Sequence, residues 1–70
     1  MMQLYEARIG DYLIHDTDAA CSGLVVGEDH IGPGNPPRPC VWLATESDGW
    51  LKVGSNEIGQ YKKRIAELAG

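Results

Sequence analysis

All four prolines of the chain fall inside one stretch, Glu28-Asp29-His30-Ile31-Gly32-Pro33-Gly34-Asn35-Pro36-Pro37-Arg38-Pro39, which also carries two glycines. Proline fixes φ and removes a backbone donor, so neither a helix interior nor a fully paired strand is expected across these positions. The stretch reads as a long exposed loop over 28–39. It divides a chain of 70 residues, which has room for one domain only, into two flanks. A single domain over 1–70 is therefore expected.

Both flanks are written in short strands. Leu4, Ile9, Leu13 and Ile14 mix with Tyr5 and Tyr12 around a Gly10-Asp11 break, the pattern of two short strands or one bent strand over 3–15. Asp16-Thr17-Asp18-Ala19-Ala20 reads as a polar turn, because Asp and Thr side chains bond nearby amides and compete with extended backbone. Ser22-Gly23-Leu24-Val25-Val26-Gly27 follows as a glycine-bounded strand whose paired valines favour a pleated, buried setting. Past the loop, Cys40-Val41-Trp42-Leu43-Ala44-Thr45 and Trp50-Leu51-Lys52-Val53 flank Glu46-Ser47-Asp48-Gly49. An Asp-Gly pair in a short polar gap between apolar runs predicts a hairpin.

The period changes at the end, where Ile58, Tyr61, Ile65 and Leu68 recur at helical spacing. This predicts an amphipathic helix over 56–69, capped by Ser55 or Asn56, with Glu57 where the helix dipole favours an acid. Gly59 weakens its first turn by about 1 kcal/mol relative to alanine, so the helix is firmest from Gln60.

Four to five short strands, one long loop and a brief helix predict a mainly β fold, a small barrel over 3–54 with the helix appended. Closing the barrel would remove the sticky edges of a small sheet. The phrases Ile9-Gly10-Asp11-Tyr12-Leu13-Ile14, Gly23-Leu24-Val25-Val26, Val41-Trp42-Leu43 and Asp48-Gly49-Trp50 resemble the SH3-like small barrels of the KOW and Tudor kind. There a Gly-Asp pair leads into an apolar first strand, a Gly-x-Val strand follows and a Trp-bearing hairpin closes the sheet. The resemblance covers residues 8–58. It implies an adaptor that grips protein or nucleic acid through loops and exposed aromatics, and it speaks against catalysis.

Charge discriminates between those partners. Ten acidic residues against six basic ones leave a net charge of −4, which argues against a binder that works by neutralising phosphates. The exception is the basic run Lys62-Lys63-Arg64, the candidate site of a nucleic-acid-binding alternative. Asp16, Asp18, Glu28, Asp29, Glu46 and Asp48 fall mostly in loops, as an ordinary solvated surface or as a negative face that imitates a nucleic-acid backbone. The residues after Asp16-x-Asp18 lack the glycine and glutamate of a calcium loop.

The two cysteines, Cys21 and Cys40, read first as buried thiols, with a strand-linking disulfide or a zinc site as the alternatives. With His15 and His30 they supply zinc-ligand atoms but none of the short spacings that pre-position ligand pairs, so no metal or other cofactor is expected. Catalytic residue types are present without a local catalytic signature, and no enzyme is expected. No apolar run approaches the roughly 20 residues of a membrane span, and neither end resembles a targeting segment. A cytoplasmic location is the expectation.

The candidate partner-binding residues are His30, Pro36, Pro37 and Arg38 in the loop and Trp42 and Trp50 on the hairpin arms. Prolines at Pro-x-x-Pro spacing pre-form an extended helix suited to aromatic grooves, although a stiff connector is the plainer reading. Trp42 and Trp50 serve either as core or as exposed anchors, and Tyr5, Tyr12 and Tyr61 are candidates to join them. The sequence thus predicts a small non-catalytic protein-binding module, a regulator or inhibitor of a larger protein complex. Compact acidic chains of this kind are frequent among phage and mobile-element accessory proteins. Self-association is a further source of stability for so small a domain.

Overall fold

A computed structural model describes residues 1–47 and 49–64. Among these the elements are a 3₁₀ turn at Leu4–Glu6, β1 (Tyr12–His15), a 3₁₀ turn at Ala19–Cys21, β2 (Gly23–Ile31), β3 (Arg38–Thr45), β4 (Trp50–Gly54), a 3₁₀ turn at Ile58–Gln60 and β5 (Tyr61–Lys63). The strands form one antiparallel sheet in the order β4-β3-β2-β1-β5. The expected mainly β fold is present, but the sheet is open. No ladder joins β4 to β5, so the closed barrel expected over 3–54 does not form.

Alternation puts every second residue on one face, and the buried set lies accordingly. Leu13, Val25, Val41, Leu43 and Val53 face inward with Ala7, Ile58 and Tyr61, and Met2, Leu4, Cys21 and Leu51 pack around them. Leu13, Val25 and Leu43 are wholly excluded from solvent. Fully burying an aliphatic side chain of this size contributes about 1.5–3 kcal/mol. A handful of such residues therefore carries the fold.

Three expectations are corrected. The N-terminal flank, expected as two short strands or one bent strand over 3–15, forms a strand only at Tyr12–His15, because Leu4–Glu6 coils into a 3₁₀ turn. There Glu6 accepts the Gln3 N–H at 2.8 Å, a local bond that competes with extension.

The loop is shorter than 28–39. Glu28, Asp29, His30 and Ile31 continue β2 and pair with Val41, Cys40, Pro39 and Arg38. Pro39 is tolerated because it lies one residue past the last β3–β4 pair, Cys40↔Gly54, where ladder alternation turns its nitrogen away from β2. Only the segment 32–37 loops out, with Pro36 and Pro37 exposed at the hairpin tip.

The helix over 56–69 does not form over 56–64. Ile58 and Tyr61 are buried, but through a 3₁₀ turn and a strand that pairs with β1 as Leu13↔Lys63, Ile14↔Lys62 and His15↔Tyr61. A spacing of three satisfies both geometries, and the free edge of β1 offers backbone partners that an isolated short helix lacks. The rest of that expected helix, 65–69, lies outside the described residues.

The hairpin reading holds. The Thr45 N–H donates to the Gly49 carbonyl at 2.8 Å, and Gly49 has φ +71°, a conformation other residues adopt only at a cost. Asp18 caps the turn before β2, its carboxylate accepting the Ala20 N–H at 3.0 Å.

Candidate functional site

The face of the sheet opposite the core carries the site. Register fixes its membership, since residues paired across an antiparallel ladder point to the same side. One row runs across four strands as Trp50–Ala44–Leu24–Tyr12. A second, through Lys52, Trp42 and Gly27, lies beside it. The phase on β2 depends on a bulge between Val25 and Gly27, where Val26 is the extra residue. Without that bulge Gly27 and Asp29 would fall on the core face.

Trp50 is 67 % exposed and Leu24 41 % exposed. The Trp50 ring lies 5.9 Å from that of Trp42 at an interplanar angle of 56°. Trp42 itself is held in place. Its indole N–H donates to an Asp29 carboxylate oxygen at 3.0 Å, Lys52 Nζ sits 5.1 Å from its ring centroid, and Lys52 and Asp29 are 3.6 Å apart. The His30 N–H and the Trp42 indole hold the Asp29 carboxyl below the usual carboxylate range. At the other end of the row the Arg64 guanidinium lies 5.1 Å from the Tyr12 ring centroid. A Cβ on Gly27 would meet only Trp42 Cδ1, at 3.9 Å, so the backbone beside the indole is open to approach.

The structure brings together only part of the expected set. Trp42 and Trp50 are adjacent, which makes both hairpin arms contribute to one surface. Arg38 is on the same face by register but at the far end of β3, where with Ile31, Gly54 and Glu57 it lines a small depression of about 110 Å³. His30 points to the core side by its pairing with Pro39. There it borders a shallow groove of about 410 Å³ lined by Leu4, Tyr5, Glu28, Pro39 and Val41, with Tyr5 79 % exposed. Pro36 and Pro37 belong to neither surface. Of the basic run, Lys62 is exposed and shares the aromatic face by pairing with Ile14, while Lys63 is held 3.2 Å from Asp11. Tyr12 joins the face as envisaged, and Tyr61 does not. It is buried, and its hydroxyl donates to the Cys21 carbonyl at 3.0 Å.

Leu24 and Lys52 are members of the face that sequence reasoning missed. The signal was the alternation itself, hidden for Leu24 by reading Leu24-Val25-Val26 as one apolar run and for Lys52 by its charge. The acidic residues do not assemble into one face, since Asp29 is paired on the aromatic side, Glu28 borders the groove and Asp16 and Asp18 lie at the turn after β1. Asp48 lies outside the described residues.

No disulfide joins Cys21 and Cys40. Cys40 is 2 % exposed, and burial pushes its thiol pKa up. The Cys21 thiol donates to Asp18 at 3.4 Å. Among the described residues no group of three or more His, Cys, Asp or Glu side chains converges as a metal site. Among the same residues no helix is long and apolar enough to cross a membrane. Comparison of the chain with family models, with curated proteins and with solved structures finds no match.

Proposed function

We propose that this protein is a small non-catalytic module that binds another protein through the Trp42–Trp50 face, acting as a regulator or inhibitor of a larger complex. The observation that supports this is a fixed indole beside an exposed one. Trp42 is pinned by Asp29 and Lys52, and Trp50 stands against it with two thirds of its surface in solvent. Aromatic anchors with little conformational freedom left to lose are typical of the residues that dominate protein interfaces. Leu24 and Tyr12 extend the apolar surface, and Lys52, Arg64 and Lys62 give it a polar rim. The strand order β4-β3-β2-β1-β5, with a 3₁₀ turn between β4 and β5, is compatible with an SH3-like relationship and hence with an adaptor.

One arrangement favours nucleic acid as a second reading. Arg64 over Tyr12 and Lys52 over Trp42 place cations beside aromatic rings on the same face, the combination on which single-stranded bases stack. The net charge of −4 weighs against it.

Capture of partners from lysate of the source cell, with and without nuclease and at two salt concentrations, separates the two. A protein partner held by apolar aromatic anchors survives nuclease and loses little with salt. A nucleic-acid complex disappears on nuclease treatment and weakens steeply as salt rises.

A further inference from the structure

The open edge of β4 is self-complementary, and the geometry points to a two-fold dimer in which β4 of one copy pairs antiparallel with β4 of another.

Ladder alternation decides which backbone groups are free to do this. The Thr45 N–H bonds the Gly49 carbonyl, so Thr45 and Gly49 form a hydrogen-bonded pair, and hydrogen-bonded pairs recur at Leu43↔Leu51 and Val41↔Val53. The N–H and C=O of Trp50, Lys52 and Gly54 therefore face away from β3, and β4 is the last strand of the sheet order. Gly54 is closed off, because its N–H donates to a Glu57 carboxylate oxygen at 3.0 Å and its carbonyl accepts the Glu57 N–H at 3.1 Å. Among the described residues four backbone groups of β4 remain outward, two on Trp50 and two on Lys52.

Only one two-fold register uses all four. An axis through Leu51 sets Trp50 opposite Lys52 of the second copy and Lys52 opposite its Trp50, forming four hydrogen bonds. An axis through Lys52 would oppose two lysines and require the Gly54 N–H that Glu57 already holds. An axis through Trp50 would draw Gly49 into the ladder, and Gly49 has the φ of a turn, +71°. In the favoured register no like charges face each other, since each Lys52 ammonium is turned back toward its own Asp29. The two half-buried Leu51 side chains meet on the core side.

The two edges of the sheet differ in a way that supports this choice. β5 is three residues long and carries Lys62 and Lys63, the charged, short form in which exposed edges resist pairing. β4 has five residues, no proline and a single charge. Pairing there also sets the Trp42–Trp50 surfaces of both copies on one side of a continuous sheet.

Sedimentation velocity of the full chain from micromolar to millimolar concentration tests this. A concentration-dependent dimer is expected. Lys52→Pro removes an N–H that β3 does not use, and losing that bond in each copy weakens dimerisation by about 30-fold. Leu51→Cys, with Cys21→Ser to prevent side reactions, gives a disulfide-linked dimer through position 51 on mild oxidation, because opposed residues at a non-hydrogen-bonded pair lie about 4.5 Å apart between Cα atoms. A monomer across the whole range, or a wild-type dimer that Lys52→Pro leaves equally tight, overturns the proposal. The wild-type measurement stands even if a variant fails to fold.

Discussion

The Trp42 indole N–H donates to the Asp29 carboxylate at 3.0 Å across the β2–β3 ladder, tying a large aromatic ring on the outer face to an acid two pairs further along. A half-buried tryptophan held in this way is a prepared contact surface rather than a loose side chain. Asp29→Ala is expected to free the ring, moving the Trp42 indole resonance toward the position of a solvated indole in an ¹H–¹⁵N spectrum. Asp29→Asn, which keeps an acceptor oxygen, is expected to leave it largely in place. In the wild type the same resonance should titrate with Asp29, below the ordinary carboxylate value of 3.8.

The bulge-shifted phase of β2 makes its two glycines unequal. A Cβ on Gly23 would sit 2.5 Å from the Ala44 carbonyl oxygen, which is backbone and cannot yield, while on Gly27 it would make only an ordinary contact. Gly23→Ala is expected to destabilise by about 1–3 kcal/mol, the range for forced overpacking, and Gly27→Ala by less than about 0.5 kcal/mol. Urea midpoints compare the two directly.

His15 organises the turn after β1. Its Nδ1 accepts the Thr17 N–H at 3.2 Å and the Asp18 N–H at 3.0 Å, and its Nε2 lies 3.1 Å from Gln60 Oε1, beside the start of β5. His15→Ala is expected to cost about 1 kcal/mol by removing both hydrogen bonds, and His15→Asn to recover part of it, since a short side-chain oxygen bonds amides two and three residues on. The check is the denaturant midpoint of each variant.

Stability should fall at both ends of the pH scale, for opposite reasons. The Arg8 N–H and then Lys63 hold the Asp11 carboxyl below 3.8, so its contribution is present above that value and lost as pH falls through the lower folded pKa. Burial raises the Tyr61 pKa from 10.0 to about 12, so its contribution is present below 10 and lost as pH climbs from 10 toward 12. Asp11→Asn should flatten the acid limb and Tyr61→Phe the alkaline one, each leaving the other limb unchanged. Chemical denaturation between pH 2 and pH 12 resolves both limbs.

Local signals carried much of this fold into the sequence. The valines of β2, the Val41–Thr45 run and the Gly49 turn are visible because propensity and turn chemistry agree with the final pairing. The extension of β2 through Glu28, Asp29 and His30 was hidden, because none of those residues favours a strand and only the partner strand, entering at Arg38, makes them one. Tyr61 misled for a related reason. Its spacing from Ile58 fits a helix, and the edge of β1 that claims it lies far away in sequence. The aromatic site was legible as residue types, Trp42 and Trp50. Its other members depend on register, and one bulge residue, Val26, sets that register.

A side-by-side capture with wild-type and Trp50→Ala chains tests most directly the proposal that this protein meets its partner through the Trp42–Trp50 face. Trp50 is two-thirds exposed and stands outside the buried core, so its removal should leave the fold intact, as a matching melting curve would verify. One stoichiometric protein is expected on the wild type, reduced at least about tenfold on Trp50→Ala, the effect of losing a hot-spot aromatic. Equal recovery on both chains would contradict it and move the binding surface to the groove beside Tyr5 or to the hairpin tip at Pro36 and Pro37.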